Sequence, residues 1–276
     1  MHAIHFLSFL SFFLFVNLAF AQDSFKALHT KVSILSSVRV VGPKKPFQLA
    51  IRFQLDPSWH TYWVNPGDSG VAAQIKFSLP EGFQAGEILW PLPQRFMENG
   101  LVTYGYQKDF YFIVPVVPSE KVPDKNISIQ ADIRWLVCHE ICVPEEARIF
   151  LSLPVSQVQA KENPRWKKID QWSKKNSPSP VGDKDVSVEG EEESFVLRLP
   201  VKNFNNKLKR AEFFPVPRQI IQNEYEQALV AGENFYELVL KKSIHLKDEL
   251  KQLDGILIVE DNEGKHGYLV HLPVQY

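Results

Sequence analysis

Only two cysteines occur in the chain, Cys138 and Cys142, four positions apart in Trp135-Leu136-Val137-Cys138-His139-Glu140-Ile141-Cys142-Val143-Pro144. A pair this close opens and closes a disulfide without displacing the rest of a fold. It is a weak staple: a closed loop of about five residues stabilises by roughly 2 kcal/mol, against about 4.7 kcal/mol for a loop of a hundred. It is a good two-electron carrier, because thiol–disulfide exchange alternates between an internal and a mixed disulfide and needs two sulfurs in reach. The chemistry also asks for an accessible thiolate. His139, lying between the two, favours a thiolate when protonated and Glu140 opposes it; the competing reading of His139 is a solvated turn residue. Exchange of this kind requires no cofactor.

The compartment suits that chemistry. From Phe6 to Phe20 the chain is nearly all apolar and closes on Ala19-Phe20-Ala21 before Gln22, the small-x-small pattern of a signal-peptidase site. The n-region is off pattern, with His2 and His5 but no Lys or Arg. Residues 1–21 are therefore expected to be a signal peptide cleaved near Ala21-Gln22, with an uncleaved anchor as the competing reading. Nothing after Gln22 offers the roughly 18 apolar residues of a membrane span, so no stable membrane insertion of the mature chain is expected. The expected location is periplasmic or secreted, where a vicinal thiol pair can oxidise.

Composition bounds the fold. A mature chain of about 255 residues with 45% apolar residues suffices for one large or two smaller domains. The formal net charge of -1 removes any electrostatic argument for nucleic acid or an acidic membrane surface. In Phe47-Gln48-Leu49-Ala50-Ile51-Arg52-Phe53-Gln54-Leu55 every odd position is large and apolar, the period of a strand with one buried face. The pattern returns in Ile127-Ser128-Ile129-Gln130-Ala131-Asp132-Ile133-Arg134-Trp135, and further strands are expected in 28–40, 74–79, 110–116 and 147–153. Short strands without βαβ spacing read as a β-sandwich.

Between Gln157 and Lys184 the pattern breaks. Asn163 as N-cap and Pro164 at the first helical position predict a short helix with Trp166, Ile169 and Trp172 turned inward, ended by Ser177-Pro178-Ser179-Pro180. A second set of strands follows in 194–199, 211–216, 235–241, 255–260 and 268–273, with no cysteine and no phosphate-binding loop, metal spacing or acid/base constellation. The expected organisation is a first sandwich over 22–156, a linker with a short helix over 157–184, and a second sandwich over 185–276 that serves structure or docking.

Parity places the sulfurs. If odd residues from Ile127 to Val137 face the core, Cys138 falls on the accessible side, and counting back from Leu153, Leu151 and Ile149 puts Cys142 outward too. Their Cα atoms are then expected within the roughly 4.4–6.8 Å that a disulfide uses. Trp59, His60, Tyr62 and Trp63 put four aromatic rings in five positions, more than one strand face buries, so some are expected at a surface or over the sulfurs. Asn65-Pro66-Gly67-Asp68 reads as a turn.

Four ordered stretches then carry a resemblance: Trp59 to Gly70, Trp90 to Phe96, Tyr104-Gly105-Tyr106, and Cys138 to Glu146. Together they resemble the N-terminal periplasmic region of the thiol:disulfide interchange protein DsbD family, nearest its ScsB branch, named for suppression of copper sensitivity; Phe213-Phe214-Pro215 and Gly255-Ile256-Leu257 also look like that branch. The resemblance covers nearly the whole mature chain. It implies an immunoglobulin-like sandwich, and with the second set of strands the expected fold is an all-β protein of two tandem immunoglobulin-like β-sandwich domains joined by a short helical linker. It also implies that Cys138 and Cys142 are the exchanging thiols, paired as a disulfide. Trp59, His60, Tyr62, Trp63, Trp135, Tyr104, Tyr106 and His139 would support them. The implied partners are thioredoxin-like periplasmic proteins and a membrane-embedded reductase. Family members usually continue into a membrane domain and a thioredoxin-like domain, and this chain stops at Tyr276, so a separate reductase is expected.

Two other readings stay open: a Cu(I)-binding protein of copper tolerance using Cys138, Cys142 and His139, which no Met-rich tract supports, and a scaffold in which the pair is a static hairpin bridge.

Overall fold

The structure is a computed structural model that describes residues 22–98, 100–182, 185–204 and 207–276. The expected leader, residues 1–21, lies outside the described residues.

Residues up to Leu153 form two facing sheets. One runs Ser24–Lys26, Thr30–Ser36, Phe47–Leu55, Asp109–Val117, Gln84–Ala85 in spatial order. The other runs Cys142–Leu153, Ile127–Cys138, His60–Gly67, Leu101–Gln107, Gln94–Glu98, with Gln74–Ser78 also paired to Ile127–Cys138. The period-two signals become the inner faces: Phe47, Leu49, Ile51 and Phe53 from one sheet meet Ile129, Ala131, Ile133 and Trp135 from the other. Phe53 lies 5.3 Å from the rings of Phe110, Phe112 and Trp135. Ala50, at an outward position, is buried as well because the helix lies over it.

That helix, Trp166–Asn176, is the one α-helix among the described residues, and none of their helices is long and apolar enough to cross a membrane. Ile169 packs with Ala50 and Ile113, while Trp172 meets the Tyr111 ring at 5.0 Å. The connector is thus packed down rather than loose, and Lys161–Glu162 pairs with Val38–Val40. The N-cap is Arg165, not Asn163. The Asn163 amide is engaged elsewhere: its Nδ2 donates to the Ser36 carbonyl at 2.9 Å and its Oδ1 accepts from the Arg165 N–H at 3.1 Å, making a turn one step before the helix.

The second half is an eight-stranded sheet system in the order Arg210–Pro215, Gln252–Glu260, Lys265–Gln275, Ser187–Gly190, Ser194–Pro200, Phe235–Lys241, Ala228–Ala231, with Ser179–Pro180 beside Lys265–Gln275. It has its own core around Phe195, Leu197, Leu199, Phe213, Leu238, Leu240 and Leu257. On the strands Arg210–Pro215 and Gln252–Glu260 the alternation serves both halves, for Phe213 and Leu257 join that core while Phe214 and Ile256 enter the core of the first half. There Phe214 meets Tyr104 at 5.1 Å and Trp63 at 6.3 Å, both edge-on.

Asn65-Pro66-Gly67, expected as a turn, is the buried end of His60–Gly67. Its local role survives in part, since Asn65 Oδ1 accepts from the Gly67 N–H at 3.0 Å. The Asn65 Nδ2 crosses to the second half and donates to the carbonyls of Pro215 at 2.7 Å and Pro217 at 3.3 Å.

Candidate functional site

Cys138 ends one strand and Cys142 begins the next; they form opposed residues of an antiparallel ladder, with His139, Glu140 and Ile141 turning between them. They are joined as a disulfide with Cα atoms 4.1 Å apart. This is just under the expected range, as suits directly facing residues of a tight hairpin whose narrow antiparallel pairs run at about 4.5 Å. The turn is exposed, and Ile141 is 66% accessible.

Parity holds for one sulfur and fails for the other. Cys142 is exposed as expected. Cys138 is 2% accessible. Its side lies opposite the main core, but at this end of the sheet His60–Gly67 is its neighbour, Cys138 pairs with His60, and the Tyr62 hydroxyl lies against the sulfur. The neighbouring strand alternates like the rest: Thr61 and Trp63 turn to the core side, His60 and Tyr62 to the sulfur side. All four are buried, which hides the period from the sequence.

Tyr62 lies against the disulfide. Its hydroxyl donates to Cys138 Sγ at 2.8 Å and lies 3.7 Å from Cys142 Sγ. Burial, helped by the Glu98 carboxylate, pushes the phenol up to about 12, so it stays protonated and can donate. Gly70 makes room for the ring. A Cβ there would fall 2.2 Å from Tyr62 Cε1, and φ of +103° already favours glycine.

His60 stands edge-on to Tyr62 at 5.3 Å and stacks on Phe96 at 5.0 Å. Neither ring nitrogen has a hydrogen-bond partner, the nearest charge being Glu98 Oε1 at 3.6 Å from Nδ1. Burial lowers its pKa below the ordinary 6.5, and proximity to His139 lowers it further, against the pull of Glu98. Phe96 and Glu98 come from the short edge strand Gln94–Glu98, which thereby packs on His60, the neighbour of both Tyr62 and Cys138.

The other expected site residues divide. Trp59 stacks on His29 at 3.6 Å and approaches His139 at 6.0 Å beside the exposed turn. Trp63 and Trp135 lie in the core, with Trp135 Nε1 donating to Thr30 Oγ1 at 3.0 Å. Tyr106 lies there too, and its hydroxyl donates to the Pro91 carbonyl at 3.0 Å. Tyr104 faces the second half and donates to Asn223 Oδ1 at 2.9 Å. Among the described residues no group of three or more His, Cys, Asp or Glu side chains is arranged to hold a metal ion.

Sequence reasoning did not single out Phe96, Glu98 and Gly70. Phe96 and Gly70 fall inside the motifs Trp90 to Phe96 and Trp59 to Gly70, but nothing in their type marks them as packing against His60 and Tyr62, the rings beside Cys138.

The geometry permits exchange with defined roles. Cys142 Sγ is open to an incoming thiolate, and the electron pair of the broken bond would pass to Cys138 Sγ, where a hydroxyl already points.

Comparison with known proteins agrees with this chemistry. Residues 31–154 match the family model for "Thiol:disulfide interchange protein DsbD, N-terminal". Among solved structures, the N-terminal periplasmic domain of ScsB from Proteus mirabilis aligns with a TM-score of 0.64 at 17% identity, covering 92% of this chain and 98% of that one. This likeness bears on the fold, and it extends across both halves as tandem immunoglobulin-like sandwiches. A titin fragment, A168169, and the E. coli chaperone DraB reach TM-scores of only 0.19 and 0.21, at 11% and 12% identity. They cover 89% and 87% of this chain and 99% and 97% of their own, and carry no weight. Among curated proteins none matches the chain in sequence. Residues 31–154, which hold both cysteines and the rings around them, are thus similar to the N-terminal region of the DsbD thiol:disulfide interchange family.

Proposed function

We propose that this protein is a periplasmic thiol–disulfide exchange module that passes two electrons to or from thioredoxin-like partners, with a membrane-embedded reductase as its counterpart. Cys142 is the exchanging sulfur and Cys138 the resolving one. A partner thiolate attacks Cys142 Sγ, forming the mixed disulfide as the Cys138–Cys142 bond breaks, and Cys138 leaves as a thiolate beside the Tyr62 hydroxyl. The partner's second thiolate then attacks its own sulfur of the mixed disulfide. Cys142 is released, the partner is oxidised, and this protein is left as the dithiol. The reverse sequence delivers the electrons onward.

The observation that carries this reading is the asymmetry of the pair: one sulfur is open to solvent, and the other is buried with a hydroxyl donor at 2.8 Å. A static bridge has no use for a phenol aimed at one of its sulfurs. Trapping tests it. Incubated with an oxidised thioredoxin-like protein, Cys138→Ser is expected to accumulate a disulfide-linked adduct through Cys142, and Cys142→Ser is expected to give little. Equal adducts from both variants would overturn the assignment of roles, and more from Cys142→Ser would reverse it. A reduction potential below about -300 mV would mark a structural bridge instead.

A further inference from the structure

The edge strand Gln94–Glu98 is gripped from both faces. Phe96 and Glu98 turn toward His60, which stands beside Tyr62 and pairs with Cys138. Arg95, on the alternate face, turns to the second sandwich, where Nη2 donates to the Asn223 carbonyl at 2.8 Å and Nε lies 3.8 Å from Glu212 Oε1. In the ladder Arg95 is opposed by Tyr104, whose hydroxyl donates to Oδ1 of the same Asn223. Asn223 is held in turn by its own Nδ2, which donates to Asp68 at 2.7 Å. One residue of the second sandwich therefore fastens both strands of this hairpin.

The fastening matters because the strand is otherwise weakly held. Among the described residues it pairs only with Leu101–Gln107 and forms the edge of its sheet. A two-stranded hairpin with one free edge is marginal by itself, and such segments open at low free energy. We infer that the second sandwich holds this strand shut through Arg95, so that the half without cysteines sets how often Cys138 becomes accessible. Arg95 is a positioning residue, acting through Phe96, His60 and Tyr62. The inference rests on the proposed exchange only for its purpose; the coupling itself is a matter of access.

Full-length Cys142→Ser provides the probe, since iodoacetamide must wait for the strand to open before it alkylates Cys138. Adding Arg95→Ala is expected to speed that labelling about tenfold, equivalent to roughly 1.4 kcal/mol and within reach of one lost charge-assisted hydrogen bond. Glu212→Gln, on the second sandwich, is expected to speed it about threefold, and the double variant no more than Arg95→Ala alone, because both act through one contact. Labelling of the exposed Cys142 in Cys138→Ser is expected to stay within about twofold in each background, which separates an opened cover from general loosening. An Arg95→Ala rate within about twofold of its parent, or an equal rise at Cys142, overturns the inference. Should Arg95→Ala not fold, Glu212→Gln decides alone, and an unchanged Cys138 rate overturns it. Alkylation needs no redox partner, so failure of the exchange reading in the trapping experiment would be recognised separately.

Discussion

Tyr62→Phe removes one oxygen and leaves the ring under Gly70 in place, so it isolates the hydrogen bond to Cys138 Sγ. In the oxidised protein that bond meets a neutral disulfide sulfur, a weak acceptor. In the reduced protein it meets a thiolate, and hydrogen bonds to charged groups contribute about 1.5–3 kcal/mol. The hydroxyl therefore stabilises the reduced state preferentially, and its loss makes the pair harder to reduce. For a two-electron couple about 30 mV corresponds to 1.4 kcal/mol, so the potential is expected to fall by roughly 30–60 mV. If about half of that difference is felt as Cys138 leaves, reduction by dithiothreitol slows about three- to tenfold. Equilibration against glutathione buffers measures the first quantity and stopped-flow tryptophan fluorescence the second. A potential unchanged within about 10 mV, or raised, would refute the argument, because a hydroxyl that does not discriminate between oxidation states cannot assist the leaving sulfur.

Three further outcomes follow from the packing. Gly70→Ala is expected to destabilise by about 2–4 kcal/mol in urea titration, from left-handed backbone and collision with Tyr62 together, and to shift the potential in the same direction as Tyr62→Phe. Phe214→Ala is expected to lose about 3–5 kcal/mol, since its ring fills the core of the first sandwich from the second; a loss below about 1 kcal/mol would mean that the two halves do not share that core. The depressed pKa of His60 means that the unfolded chain binds a proton that the folded chain refuses. Stability from this group is therefore complete above about pH 6.5 and falls as the pH drops below it, by at most about 1.4 kcal/mol per unit. His60→Gln should flatten that slope between pH 7 and 5 relative to the parent, and an identical slope would sink the assignment.

What could be read from the residues was governed by how many sides of each strand are covered. Phe47–Leu55 and Ile127–Trp135 each pack mainly one face, and their alternation predicts both strand and facing. The run His60–Trp63 is buried on both faces, so alternation vanishes and only a surplus of rings remains to signal a special place. The same rule places Cys138 outward, but Tyr62 and His60 bury it, and His60 is backed by Gln94–Glu98, a short segment without alternation. Asn65-Pro66-Gly67 has turn chemistry, yet the asparagine is used across the boundary between halves, which no local pattern encodes. The cysteine pair itself was legible because its chemistry depends on spacing along the chain; the phenol aimed at it was not, because that depends on distance in space.

The seam between the halves limits how this protein can be dissected. Phe214 and Ile256 reach into the neighbouring interior, and the helix Trp166–Asn176 roofs Ala50 and Ile113. A fragment ended at residue 156 would lose both the plug and the roof, presenting Trp63, Tyr104 and Tyr111 to water. Such a piece would tend to self-associate, and its sulfurs would report on an uncovered hairpin. Thiol reactivity measured on an isolated first half would therefore describe a different chemical environment from the one the intact chain maintains.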